Sequence, residues 1–204
     1  MDAYKKLSST RVGRDKVLRT IQYALRIVNS SDVKSSETTV QLEKTLASCR
    51  KLFRFGTSLD TLLSVEPRNL TKALSQISLA LYLLLDHLVW LNSQNVVDFD
   101  RKTLAVRSNR LWTLSALLSL LWSLQESQRV WAKHKDVTSK FERTRRFLAD
   151  NPGLVLQGIV SASDAVMALA GADIIHVPGK VSGVAGVTSS LLGILVLLRP
   201  SLKC

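Results

Sequence analysis

The stretch VSGVAGVTSSLLGILVLL, Val181 to Leu198, runs for eighteen residues without a formal charge between Lys180 and Arg199. A bilayer core of about 30 Å takes roughly 20 apolar residues at 1.5 Å each. Lys180 and Arg199 can lengthen the run by snorkelling at both ends. It predicts a membrane-crossing helix; the alternative is a helix buried in a soluble core. Gly183, Gly186, Ser190 and Gly193 would let another helix approach closely.

Three further apolar runs differ in what they carry. Leu70–Trp90 is long enough to span, but holds Asp86 and His87. A carboxylate at mid-bilayer costs about 2.5–3.5 kcal/mol, and less near an end, where Asp86 sits. Ser75, Ser78, Tyr82 and Asp86 share one side of that helix: a functional-site candidate, or a polar stripe buried between helices. Leu111–Leu124 would reach only about 21 Å, which predicts a buried or interfacial helix. Trp112, Trp122 and Trp131 suit a membrane interface or a helical core equally. Leu154–Ile175 carries Gln157, Asp164 and Asp173, and is expected to pack against its neighbours. Almost no segment alternates with a period of two, so the chain is all-α.

The N-terminal part is amphipathic. A helix from about Gly13 to Val28 sets Val17, Leu18, Ile21, Ala24, Leu25 and Val28 against Asp15, Lys16, Arg19, Gln22 and Arg26. In VQLEKTLASCRKLFRFG, Leu42, Leu46, Cys49 and Phe53 fall within about 60° of arc at 100° per residue. Lys44, Arg50, Lys51 and Arg54 gather on the opposite side with Glu43. A short helix, SLDTLLSVE, follows before Pro67. The expected organisation is a membrane-associated helical bundle forming one domain over residues 1–204. Amphipathic cytosolic helices occupy 1–69 and a possible span 70–92. A short apolar helix and a basic helix fill 108–150, broken at Asn151–Gly153, and a hydrophobic region at 153–204 contains the span 181–198.

Composition narrows the partners. A formal net charge of +12 points to phosphate, on nucleic acid or on anionic lipid. A mean hydropathy of +0.13 and 46% hydrophobic residues favour lipid. No nucleic-acid motif is present, and none is expected to bind. Cys49 and Cys204 suit a reducing compartment, and MDAYKKLSST predicts no secretory leader. His87, His134 and His176 are too dispersed for a metal site. No phosphate loop, dinucleotide fingerprint or nucleophile elbow occurs. The expectation is a protein that is not an enzyme and holds no cofactor.

GRDKVLRTIQY (Gly13–Tyr23) resembles the opening signature of the peroxin-11 family of peroxisomal membrane proteins. CRKLFRFG (Cys49–Gly56), LLLDHLVWL (Leu83–Leu91) and SNRLWTLS (Ser108–Ser115) resemble the same family in the same order, and the apolar C-terminal run completes the pattern. The resemblance covers essentially the whole chain. It implies a peroxisomal membrane location with the amphipathic part facing the cytosol. It also implies membrane elongation before fission, self-association into homo-oligomers, and contact with fission machinery including a dynamin-like GTPase.

Three functions follow as expectations: a membrane-shaping protein, a channel for small solutes, or a soluble helical adaptor. In the first, the Val40–Phe55 helix lies in the cytosolic leaflet. Leu42, Leu46 and Phe53 would each gain roughly 1.5–3 kcal/mol on full burial. Cations beside anionic lipid would add about 1 kcal/mol each.

Overall fold

The computed structural model describes residues 2–31, 35–133 and 139–202. They form α1 (Asp2–Ser9), α2 (Arg11–Asn29), α3 (Glu37–Phe53), α4 (Thr57–Leu63), α5 (Leu70–Ser93), α6 (Arg101–Lys133), α7 (Lys140–Asp150), α8 (Pro152–Gly171) and α9 (Gly179–Leu198). A 3-10 turn at Pro200–Leu202 follows. No strand occurs among the described residues, so the all-α class holds. Helices α5, α8 and α9 are each long and apolar enough to cross a membrane.

Polar residues set the boundaries. Thr10 caps α2 by accepting from the Gly13 amide, which starts that helix two residues ahead of the expected glycine. Ser36 caps α3, Asn69 caps α5, and Asp100 receives the Lys102 and Thr103 amides at the head of α6. Pro152 opens α8, where its missing N–H has no cost. Gly56, at φ 79°, supplies the left-handed residue that turns the chain into α4.

Two boundaries differ from expectation. The short apolar run 111–124 and the basic residues on both sides form one continuous helix, α6, 33 residues long. With no Gly or Pro between Arg101 and Lys133, nothing stops it. The basic segment expected as one helix is therefore divided, its first part ending α6 and its second forming α7. The short α1 was not anticipated.

Six helices close a ring in the order α2, α3, α5, α6, α8, α9, each packed on the two beside it, and α9 returns to α2. Helices that are not neighbours in the ring do not approach backbone to backbone; α2 reaches α8 only by side chain, Arg19 to Asp164. Neighbours run antiparallel throughout. Arg26 meets Glu43 and Arg50 meets Asp15 between α2 and α3. Ser75 and Ser115 exchange hydroxyl-to-carbonyl bonds of 2.9 Å between α5 and α6. Thr113 donates to the Ala168 carbonyl between α6 and α8. The connections after α2, α5 and α8 thus share one end of the ring, and α1, α4 and α7 share the other.

The burial pattern is inside out. The buried hydrophobic residues are mostly small, and Ala116, Ala165 and Ala168 cluster against Trp112 and Leu120. Buried polar side chains are more numerous, and ten of them are serines. Large hydrophobics such as Leu81, Leu84, Leu117, Leu121 and Leu191 face outward. A soluble core would reverse this.

The closing contact of the ring uses glycine. A Cβ on Gly186 would overlap the Tyr23 ring, one on Gly183 would press on Ile27, and one on Gly193 on the Lys16 side chain. Ser190 is fully buried and donates to the Gly186 carbonyl at 2.6 Å. The small-residue track of α9 therefore faces α2. Gly186→Ala is expected to destabilise by about 1–3 kcal/mol through overpacking. Gly158→Ala in α8, with open space around it, is expected to be neutral or to stabilise by up to about 1 kcal/mol. Thermal unfolding of both variants in detergent measures the difference.

Candidate functional site

The ring encloses a cavity of about 990 Å³ lined by α2, α3, α5, α6, α8 and the start of α9. Its wall is charged. Seven Lys or Arg side chains line it against four carboxylates; Arg11 is answered by Asp60 outside the wall, which leaves an excess of two positive charges. Most of these groups are paired across helix seams.

Asp164 is the junction of three helices. It accepts from Arg19 of α2 at 2.5 Å and from Ser189 of α9 at 2.7 Å while standing on α8. Asp15 of α2 accepts from Arg50 Nε of α3 at 2.9 Å, and Gln22 accepts from Arg50 Nη1 at 2.6 Å. Asp86 of α5 takes Lys51 and Arg54 of α3, one on each oxygen, both at 2.8 Å. Tyr82 accepts from Arg54 at 3.2 Å and stacks on Trp112. Glu43 accepts from Arg26 and Asn29.

Three donors are left over. Arg19 Nε and Arg54 Nε are buried without hydrogen-bond partners. Lys16 has no carboxylate in ion-pair range among the described residues; Asp15, Arg19, Arg50 and Asp164 act on it from farther away. Burial, reinforced by the Arg19 charge, lowers its pKa from the ordinary 10.5 to about 8. Burial of Arg50 also pushes its pKa down.

The expected membrane-binding residues of α3 are divided by this arrangement. Arg50 is buried, and Lys51 and Arg54 turn inward to Asp86, so these three are bundle contacts and not free headgroup ligands. The reason is energetic: a carboxylate in an apolar helix recruits the nearest cations. Lys44 remains exposed. Leu42 and Cys49 are exposed, Leu46 is partly buried, and Phe53 is partly buried under the Arg14 guanidinium, 5.2 Å from its ring centre. Asp86, noted as a candidate, lies in the cavity wall. The polar face of the first helix, Asp15 to Arg26, was read only as a face. Its signal was available: Asp86 and Asp164 in apolar helices demand cationic partners, and the amphipathic helices hold them.

Among the described residues no group of three or more His, Cys, Asp and Glu could hold a metal ion. His134 and Cys204 lie outside the described residues.

A family model described as Peroxisomal biogenesis factor 11 (PEX11) matches residues 1–198. The chain belongs to this family. Its role is thereby one in peroxisome biogenesis. No curated protein and no solved structure matches the chain. The motifs that resembled the PEX11 family fall on α2, the end of α3, the end of α5 and α6.

The pairs in the cavity differ sharply in burial from those outside. Asp164→Asn leaves Arg19 charged and uncompensated, and is expected to cost about 3–5 kcal/mol. Asp60→Asn breaks the exposed pair with Arg11 and is expected to cost at most about 1 kcal/mol. Denaturant titrations of the two variants in one detergent test the contrast.

Proposed function

We propose that this PEX11-family chain resides in the peroxisomal membrane and promotes its elongation before fission, acting as a wedge. The observation that carries this reading is the gathering of three short helices at one end of an apolar-sided ring. Helices α1, α4 and α7 lie at that end and add cross-section there; the opposite end has only connections of a few residues. The added helices present apolar side chains to the outside: Tyr4 at 75% exposure, Leu63 at 88% and Phe141 at 79%. Cations accompany them, among them Lys5, Lys6, Arg129, Arg145 and Arg146. Apolar faces beside cations suit the headgroup zone of an anionic leaflet. Helices inserted in one leaflet expand it and favour positive curvature.

The excess of cations at that end supports a cytosolic side for it, by the positive-inside rule. Leu42, Leu46 and Cys49 on α3, with Leu52 beside them, then meet lipid on the flank of the ring. In this reading copies self-associate along their apolar sides, and the cytosolic end meets the fission machinery, including a dynamin-like GTPase.

The test is the full chain, tagged and overproduced in cells, with the peroxisomes imaged. The wild type is expected to resist alkaline extraction and to yield elongated peroxisomes. Leu63→Asp with Phe141→Asp is expected to reduce elongation several-fold while keeping the protein membrane-bound. Equal elongation by this variant, or release of the wild type by alkali, would defeat the wedge.

A second reading, passage of small solutes, is favoured by the cavity itself. Its lining extends from Arg11 to Ser30, the full length of α2, or about 28 Å at 1.5 Å per residue. Purified protein in planar bilayers is expected, on this reading, to give steady conductance that changes when Asp86→Asn frees Lys51 and Arg54. Silent bilayers would leave only the wedge.

A further inference from the structure

We propose that the central cavity is a binding site for a phosphate monoester, held by Lys16, Arg19 and Arg54. The site stands apart from the proposed wedge, whose apolar groups lie on α1, α4 and α7. Three observations carry it. With Arg11 answered by Asp60 outside the wall, six lining cations face four carboxylates, so the internal pairs leave two positive charges unneutralised. Arg19 is nine-tenths buried, yet its Nε has no partner, and the same is true of the buried Nε of Arg54. Natural interiors rarely leave such donors empty, and each calls for an explanation. Lys16 adds a cation that, unlike Arg19 and Arg54, has no ion-pair partner among the described residues, and the missing side chain of Gly193 leaves room for the end of its chain.

A phosphate group fits these donors by chemistry. It offers three acceptor oxygens around one centre and up to two negative charges, close to the cationic excess of the wall. A single carboxylate would satisfy fewer donors and less charge. The volume exceeds that of phosphate alone and matches the range for whole small-molecule sites, about 300–1,000 Å³. The esterified part of the ligand has Tyr82, Trp112 and Met167 to lie against. Two sources carry this chemistry: a soluble phosphate ester, or the head group of a phosphatidic-acid-like lipid entering from the side.

Protonation of Lys16 governs affinity. It faces Asp15 and Arg19 on its own helix, Arg50 on α3 and Asp164 on α8, against the backbone of α9 at Gly193. Its pKa, lowered to about 8 by burial, means that the empty site loses a cation as pH rises through that value. Binding then weakens, because the anion no longer meets the ammonium.

The full chain in phosphatidylcholine nanodiscs is titrated with inorganic phosphate, with sodium chloride holding ionic strength constant. Thermal unfolding and tryptophan fluorescence, to which Trp112 contributes, report binding. In a second arm the nanodiscs contain phosphatidic acid and no soluble phosphate is added. A saturable rise in melting temperature in the first arm assigns a soluble ligand; a rise in the second arm alone assigns a head group; both support the site. Lys16→Gln removes no ion pair and is expected to fold while weakening binding about tenfold, and Lys16→Arg to retain it. The wild type supplies a check that needs no variant: affinity falls between about pH 8 and 10, where inorganic phosphate is already mostly dianionic while Lys16 loses its proton. No response beyond the chloride control in either arm overturns the proposal, as does Lys16→Gln binding as tightly as wild type with no fall in wild-type affinity over that pH range.

Discussion

The carboxylates inside the ring organise the molecule. Asp15, Asp86 and Asp164 stand on three different helices, two of them long and apolar enough to span a membrane. A bare carboxylate in such a helix is costly, and it remains charged only beside cations. The cations come from α2 and α3, which are too polar on one face to be spans themselves. Electrostatic necessity therefore draws two amphipathic helices into a bundle whose other members are greasy. Once there, their polar faces turn inward and their apolar residues, Ile21, Val28 and Leu42 among them, turn out.

This accounts for the uneven seams of the ring. Helices α5 and α6, and α2 and α9, meet along their length through small residues, hydroxyls and glycines. The α3–α5 seam has little backbone proximity. It is closed by reach: Lys51 and Arg54 to Asp86, the His87 ring to the Lys51 carbonyl, and Trp90 Nε1 to Ser48. Long side chains bridging a gap leave space behind them, and the cavity is that space. A ring of six helices with no pair packed across its centre cannot fill its middle with methyl groups from one side. Polar side chains of ordinary length, paired around the wall, are the arrangement that keeps it open.

Much of the secondary structure was legible because the helices are separated by strong breakers and capped by Ser, Thr, Asn and Asp. That α5 and α9 are long and apolar enough to cross a membrane was legible from their runs, and the glycine track of α9 from its spacing; α8, equally long and apolar, was expected only to pack against its neighbours. The direction in which α3 faces was not. A helical wheel puts Arg50 and Arg54 at the edge of the stripe of Leu42 and Leu46, with Lys44 and Lys51 across from it, but does not show which face meets water. That depends on Asp15 and Asp86, residues 35 and 32 positions away from their partners, and periodicity is blind to such pairing. Asp86 and Asp164, each in an otherwise apolar helix, were the clue, and they become informative only when set against the cations that must answer them. The merging of α6 was hidden for another reason: its apolar centre is shorter than its helix, and charge at both ends looks like a boundary although no residue there breaks the turn.

The alternation of directions around the ring has a consequence for shape. In a closed antiparallel ring of six, every second connection lies at the same end. The connections after α2, α5 and α8 are short, so that end is tidy. The longer stretches between α3 and α5 and between α6 and α8 each contain a helix, α4 and α7, and both must lie at the other end, where α1 also docks through Lys6 on the Leu198 carbonyl. The asymmetry between the two ends is thus a property of the connection lengths and not of any one motif. The basic residues of the segments around α1 and α7 are carried to that end with them. A charge excess spread along the sequence becomes a charge excess on one face, the arrangement that a body seated in an anionic leaflet requires.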